Sequence, residues 1–91
     1  MNIDTDRFKT FINNSFPAYK IEIKEFKSGV IVIDIFRARD FIAIQYDGES
    51  YIGVSVIPSN GKTASYGLLD KVFDKIEDFE GYITEMIKWP L

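Results

Sequence analysis

Apolar and polar positions alternate through the middle of this chain, from Gly29 to Ile57, in a segment dense in Val, Ile, Phe and Tyr. Those residue types fit a pleated, half-buried surface. Two short polar breaks, Arg37–Asp40 and Asp47–Ser50, divide the segment into three strand-length runs. Side chains two apart share one face of a strand. Ile31, Ile33 and Ile35 therefore share a face of the first run, Ile42, Ile44 and Tyr46 of the second, and Ile52, Val54 and Val56 of the third. Joined antiparallel, the runs lay nine large apolar groups on one surface, the expected core wall.

The flanks add one strand and two helices. Tyr19 to Phe26 alternates, with Tyr19, Ile21 and Ile23 on one side and Lys20, Glu22 and Lys24 on the other. This pattern predicts a half-buried strand at a sheet edge, where lysines discourage unwanted pairing. Asp4 to Ser15 predicts an amphipathic helix: Phe8, Phe11 and Ile12 fall on one stripe, Asp4 is placed to cap the start, and Phe16-Pro17 stops it. A second stripe, Ile76, Phe79, Ile83, Met86 and Ile87 with Tyr82 beside it, predicts a helix from about Lys75 to Lys88, before Pro90. Asp74-Lys75-Ile76-Glu77 reads as a capping-box start. Gly81 inside this helix costs about 1 kcal/mol relative to alanine, which implies a packing reason for it. Leu68 to Phe73 fits a short strand, a separate helical turn or an extension of the helix.

Register constrains the turns, because a slip of one residue turns a whole apolar face to water. A three-residue loop Lys27-Ser28-Gly29 pairs Ile23 with Ile33 and Ile21 with Ile35, and Gly29 supplies the left-handed residue such loops end on. The loop around Arg37–Asp40 must be even to keep Ile35 beside Ile42. Asp47-Gly48 signals a two-residue turn, but only an odd loop such as Gly48-Glu49-Ser50 keeps Ile52, Val54 and Val56 on the core face. The expected architecture is α+β: a four-stranded antiparallel meander with an N-terminal and a C-terminal helix on one face, two layers in a single domain over residues 1–91.

Composition narrows the function. Ninety-one residues support one core. Eleven basic against fourteen acidic residues leave a net charge of −3, which argues against nucleic acid and anionic membrane as partners. No run is long and apolar enough to span a bilayer, and no basic start precedes an apolar stretch. The chain has no cysteine, hence no disulfide or thiolate chemistry, and a cytoplasmic setting is expected. The sequon Asn13-Asn14-Ser15 carries no weight in that setting.

Histidine is also absent, which removes the commonest general base and nearly every zinc site. Carboxylate pairs are the remaining catalytic option. Asp34, Asp40, Asp47 and Glu49 qualify only by lying on or beside strands, and solvated turn carboxylates are the better account of them. Gly61-Lys62-Thr63 imitates the end of a phosphate-binding loop, but Val56 stands where the motif needs its first glycine. No cofactor or metal is expected, and the chain reads as non-catalytic.

Two surfaces invite a partner. The sheet face opposite the isoleucines carries Val32, Phe36, Phe41 and Tyr51, which are exposed together if both helices cover the isoleucine face. The other possibility is that a helix or the Leu68–Phe73 segment crosses to that side. The second surface is acidic: Asp70, Asp74, Glu77, Asp78 and Glu80 lie within eleven positions, offset only by Lys71 and Lys75. It reads either as a solvated helix start favoured by the dipole or as an electronegative patch that steers a basic partner.

Phe41–Ile57 (FIAIQYDGESYIGVSVI) followed by Val72–Ile83 (VFDKIEDFEGYI) resembles small bacterial immunity proteins, which accompany polymorphic toxins including those of contact-dependent growth inhibition. The likeness covers about a third of the chain, in a strand with an I-G-V-S run and a V-F-D-x-I-E-D helix opening. It implies a cytoplasmic protein that binds one cognate toxin domain, commonly a nuclease, and blocks it without catalysis. No contact residue follows from the motif. The surface argument supplies Asp70, Asp74, Asp78 and Glu80 as steering groups and Phe36, Phe41 and Tyr51 as aromatic anchors. The alternative is a small homo-oligomeric or adaptor domain that buries its outer sheet face, with a homodimer as one form.

Overall fold

In a computed structural model of the chain, which describes residues 3–38, 40–58 and 71–87, the elements run α1 (Thr5–Ser15), β1 (Lys20–Glu25), β2 (Ile31–Phe36), β3 (Asp40–Tyr46), β4 (Ile52–Pro58), β5 (Lys71–Phe73) and α2 (Ile76–Ile87). The strands form one antiparallel sheet in sequence order, β1 to β5. The fold is α+β as the pattern requires, with five strands in place of the expected four. The extra strand lies in the segment with three open readings. Lys71–Phe73 adds to the free edge of β4, pairing Ile52 with Phe73 and Val54 with Lys71.

The registers follow the apolar pattern throughout. Ile23 pairs with Ile33 and Ile21 with Ile35. Ile35 pairs with Ile42 and Ile33 with Ile44. Tyr46 pairs with Ile52 and Ile44 with Val54, so the odd loop prevails over the two-residue Asp47-Gly48 turn. Its ladder closes at Asp47 N–H to the Tyr51 carbonyl, 3.2 Å. Gly29 and Gly48 both take positive φ, 98° and 92°, where a side chain would be strained. The two glycines also touch. A Cβ on Gly48 would stand 3.1 Å from the Gly29 carbonyl carbon and 3.2 Å from its oxygen, so the first and third hairpin tips pack backbone against backbone.

Of the nine wall residues, eight are buried and Val56 is partly buried. Both helices cover this face. Phe8 and Ile12 of α1 and Ile76, Phe79 and Ile83 of α2 are buried in the same cluster. Phe79 stands between three rings, 5.6 Å from Phe8, 5.9 Å from Phe11 and 6.2 Å from Phe73. The Asp4 carboxylate caps α1, accepting from the N–H groups of Asp6 (2.9 Å) and Arg7 (3.2 Å). The first bond of α2 runs from Phe79 N–H to the Lys75 carbonyl, so the chain enters this helix one residue after Asp74. Gly81 has open space where its Cβ would stand, so the packing reason expected for it does not exist among the described residues. No helix of the described residues is long and apolar enough to cross a membrane.

Candidate functional site

The sheet has two ends, and they divide the predicted site residues. One end carries the hairpin tips at Gly29 and Gly48, and the other the β2–β3 turn at Arg37 and Asp40. At the Arg37 end, on the outer face, Phe36 pairs with Phe41 and their rings stack at 5.9 Å and 29°. Phe41 pairs in turn with Ile57, and Lys20 Nζ lies 5.5 Å over the Phe36 ring. Phe36 is 37% exposed and Phe41 half-buried, so the stack presents an edge rather than a broad apolar surface.

Tyr51 stands elsewhere. It follows the turn opposite Asp47, six residues along β3 from Phe41, or about 20 Å at strand rise. Between them the outer face is mixed, with Glu22, Asp34, Ala43 and Ser55 in one row and Lys24, Val32, Gln45, Gly53 and Val72 in the next. The three aromatics therefore do not form one patch, which corrects the expectation that they are exposed together. The reason is the number of residues between them along the strand: sharing a face does not bring two residues to the same end.

The register joins Tyr51 to the acidic surface instead. Ile52 pairs with Phe73, so Tyr51 and Asp74 are the next residues out on β4 and β5. From Asp74 the chain turns directly into α2, whose first turn carries Glu77 and Asp78. Asp74, Glu77 and Asp78 are all exposed, the Glu77 side chain by 69%. Asp47 and Glu49 occupy the neighbouring turn. Glu77 was the residue missing from the predicted contact set, although it lies in the same helix-opening run.

Glu80 plays a different part. Its carboxylate accepts both Arg7 Nε at 3.0 Å and Arg7 Nη2 at 2.7 Å, a two-pronged bond between the helices. Its side chain is only 21% exposed. The hydrogen bond that Arg7 donates to Glu80, and the Glu80 charge, raise the Arg7 pKa, with smaller help from Glu77. Glu80 thus closes the helix pair, and its charge is answered inside the molecule. Asp70 lies outside the described residues.

The strand carboxylates also have structural partners. Asp40 is buried and holds Arg37 through 2.6 and 2.7 Å bonds across the turn. Asp47 Oδ1 accepts from the backbone N–H groups of Glu49, Ser50 and Tyr51 at 2.7–3.1 Å. Desolvation pushes the Asp47 carboxyl up, but the three N–H bonds outweigh it and leave the group below its usual range. Asp34 is the one pushed the other way. Desolvation on the half-buried outer face raises its pKa, the Glu22 charge across the ladder raises it further, and Lys24 only partly offsets them. Among the described residues no group of three or more carboxylates is arranged to hold a metal ion.

No family model, curated protein or solved structure matches this chain.

Proposed function

We propose that this chain is a non-catalytic binding protein that neutralises a basic bacterial toxin domain, a nuclease by preference, in the manner of a cytoplasmic immunity protein. One observation carries the reading: Tyr51 and the exposed carboxylates of Asp74, Glu77 and Asp78 stand at the same end of the molecule. An aromatic anchor beside exposed negative charge, of which only Glu77 has a loose ion pair, with Arg7 at 3.8 Å, suits a partner whose active cleft must attract phosphates. The resemblance of Phe41–Ile57 and Val72–Ile83 to immunity proteins points the same way. Within this reading Asp74 and Asp78 are steering groups, Tyr51 is the anchor, and Phe36, Phe41 and Glu80 lie outside the contact.

The test is co-expression with a candidate toxin domain, sought among the products of genes neighbouring this one, scored by growth and by binding kinetics. Asp74→Lys with Asp78→Lys should slow association about tenfold or more at low salt and flatten its salt dependence, whereas Tyr51→Ala should mainly speed dissociation. Circular dichroism establishes that each variant is folded. Folded variants that protect and bind as the parent does would remove this surface from the interface.

A further inference from the structure

The longer of the two sheet edges is β1, six residues long, with β2 as its one strand neighbour among the described residues. Its backbone shows which residues are available for another strand. Phe26 N–H donates to the Val30 carbonyl at 2.9 Å, so Phe26 and Val30 form a hydrogen-bonded pair. Such pairs alternate along an antiparallel ladder. The register then makes Lys24–Val32, Glu22–Asp34 and Lys20–Phe36 bonded pairs as well. The N–H and C=O groups of Ile21, Ile23 and Glu25 point the other way, out of the sheet.

We propose that β1 is a homodimer edge, on which two copies pair antiparallel about a twofold axis at Ile23 to make one continuous sheet. This inference is independent of the toxin-binding surface, which lies beyond β4. Three observations select the register. Centring on Ile23 sets Ile21 against Glu25 of the second copy, Ile23 against Ile23 and Glu25 against Ile21, so every outward-facing backbone group of the strand is used. It also sets Glu22 of each copy opposite Lys24 of the other on the exposed face, giving two complementary pairs. Shifting the centre by one residue to Glu22 opposes Glu22 to Glu22 and Lys20 to Lys24. Shifting it to Lys24 opposes the two Lys24 side chains. Charge on this edge disfavours both one-residue slips, and centring on Ile21 instead would leave the outward-facing groups of Glu25 without a partner in the strand.

The side chains need what the second copy offers. Lys24 is in no ion pair among the described residues, while Glu22 has only a loose contact with Lys20 at 3.7 Å. Ile21 and Ile23 are only partly buried beneath α1 and α2, unlike the isoleucines of β2 and β3. A second Ile23 beside the first extends the apolar face across the axis. Phe26, 52% exposed, would face Lys20 of the second copy, the same cation–ring pairing that Lys20 already makes with Phe36.

Sedimentation equilibrium of the full chain between about 10 μM and about 1 mM tests the proposal. The parent should approach twice its 10.5 kDa mass as concentration rises. Glu22→Lys and Lys24→Glu, each confirmed folded, should each weaken dimerisation at least about tenfold by turning two attractions into repulsions. The double exchange Glu22→Lys with Lys24→Glu restores the complementary pairs and should restore the dimer. A parent that stays at monomer mass throughout overturns the proposal and leaves the edge to a strand of some other protein. A dimer that both single reversals leave intact, or that the double exchange fails to rescue, overturns the register.

Discussion

Ile33 is fully buried on the second strand, between Ile23 and Ile44 on its neighbours. Truncating it leaves a cavity that paired strands on both sides prevent from collapsing, so Ile33→Ala should cost about 2–5 kcal/mol in urea denaturation. A loss under about 1 kcal/mol would place this residue outside the core. Asp34, the next residue, faces the opposite way and carries the opposite lesson. Its pKa is raised by desolvation and then by Glu22, so in the window between the unfolded and folded values the folded protein holds a proton that the unfolded chain has released. Stability therefore falls as pH rises through that window, and the deficit persists at neutral pH. Asp34→Asn should be the more stable protein at pH 7, with its advantage gone once pH drops below the usual carboxylate range. Thermal melts of both proteins across that range read the crossover, and an Asn variant less stable at pH 7 would contradict the assigned cause.

At the level of the element, α2 contains a residue that its own geometry does not require. Gly81 is exposed, has no atom near its absent Cβ, and does not have positive φ. Gly81→Ala should stabilise the protein by about 0.5–1 kcal/mol through the helix and the unfolded chain alone. A destabilised variant would mean that the helix needs the glycine after all. The strands and helices were legible in the sequence because each long element repeats its period several times: the isoleucines of β2 and β3 are matched across two partners, so register and face agree. The fifth strand, Lys71–Phe73, is too short to show a period, and its outward Val72 is 58% exposed despite being apolar. Its place is decided by the open edge of β4, which no local pattern records. The candidate site was half legible for the same reason. The acidic run was visible as composition, whereas the Arg7–Glu80 bond that removes one member joins residues 73 positions apart. The separation of Tyr51 from Phe36 and Phe41 was implicit in the registers, since counting six residues along β3 gives it.

Across the whole molecule, connections divide into two kinds. Every strand pairs with the strand before or after it in sequence, so β1 to β4 can assemble hairpin by hairpin, each of those closures spanning few residues. The helix pair is the exception: Arg7 reaches Glu80 and Glu77 from the far end of the chain, and that loop is cheap to close only once the sheet has drawn its ends together. The consequence is an order of events in time. The N-terminal helix is then expected to dock last, after the rate-limiting barrier, and to be the first part of the molecule to leave. Arg7→Ala should then leave the refolding limb of a stopped-flow chevron close to that of the parent while steepening the loss on the other side, with unfolding several times faster. A slowed refolding limb with unchanged unfolding would reverse the sequence and put the two helices together before the strands. On this clock the Arg7–Glu80 clasp sets how long the folded protein lasts rather than how quickly it forms.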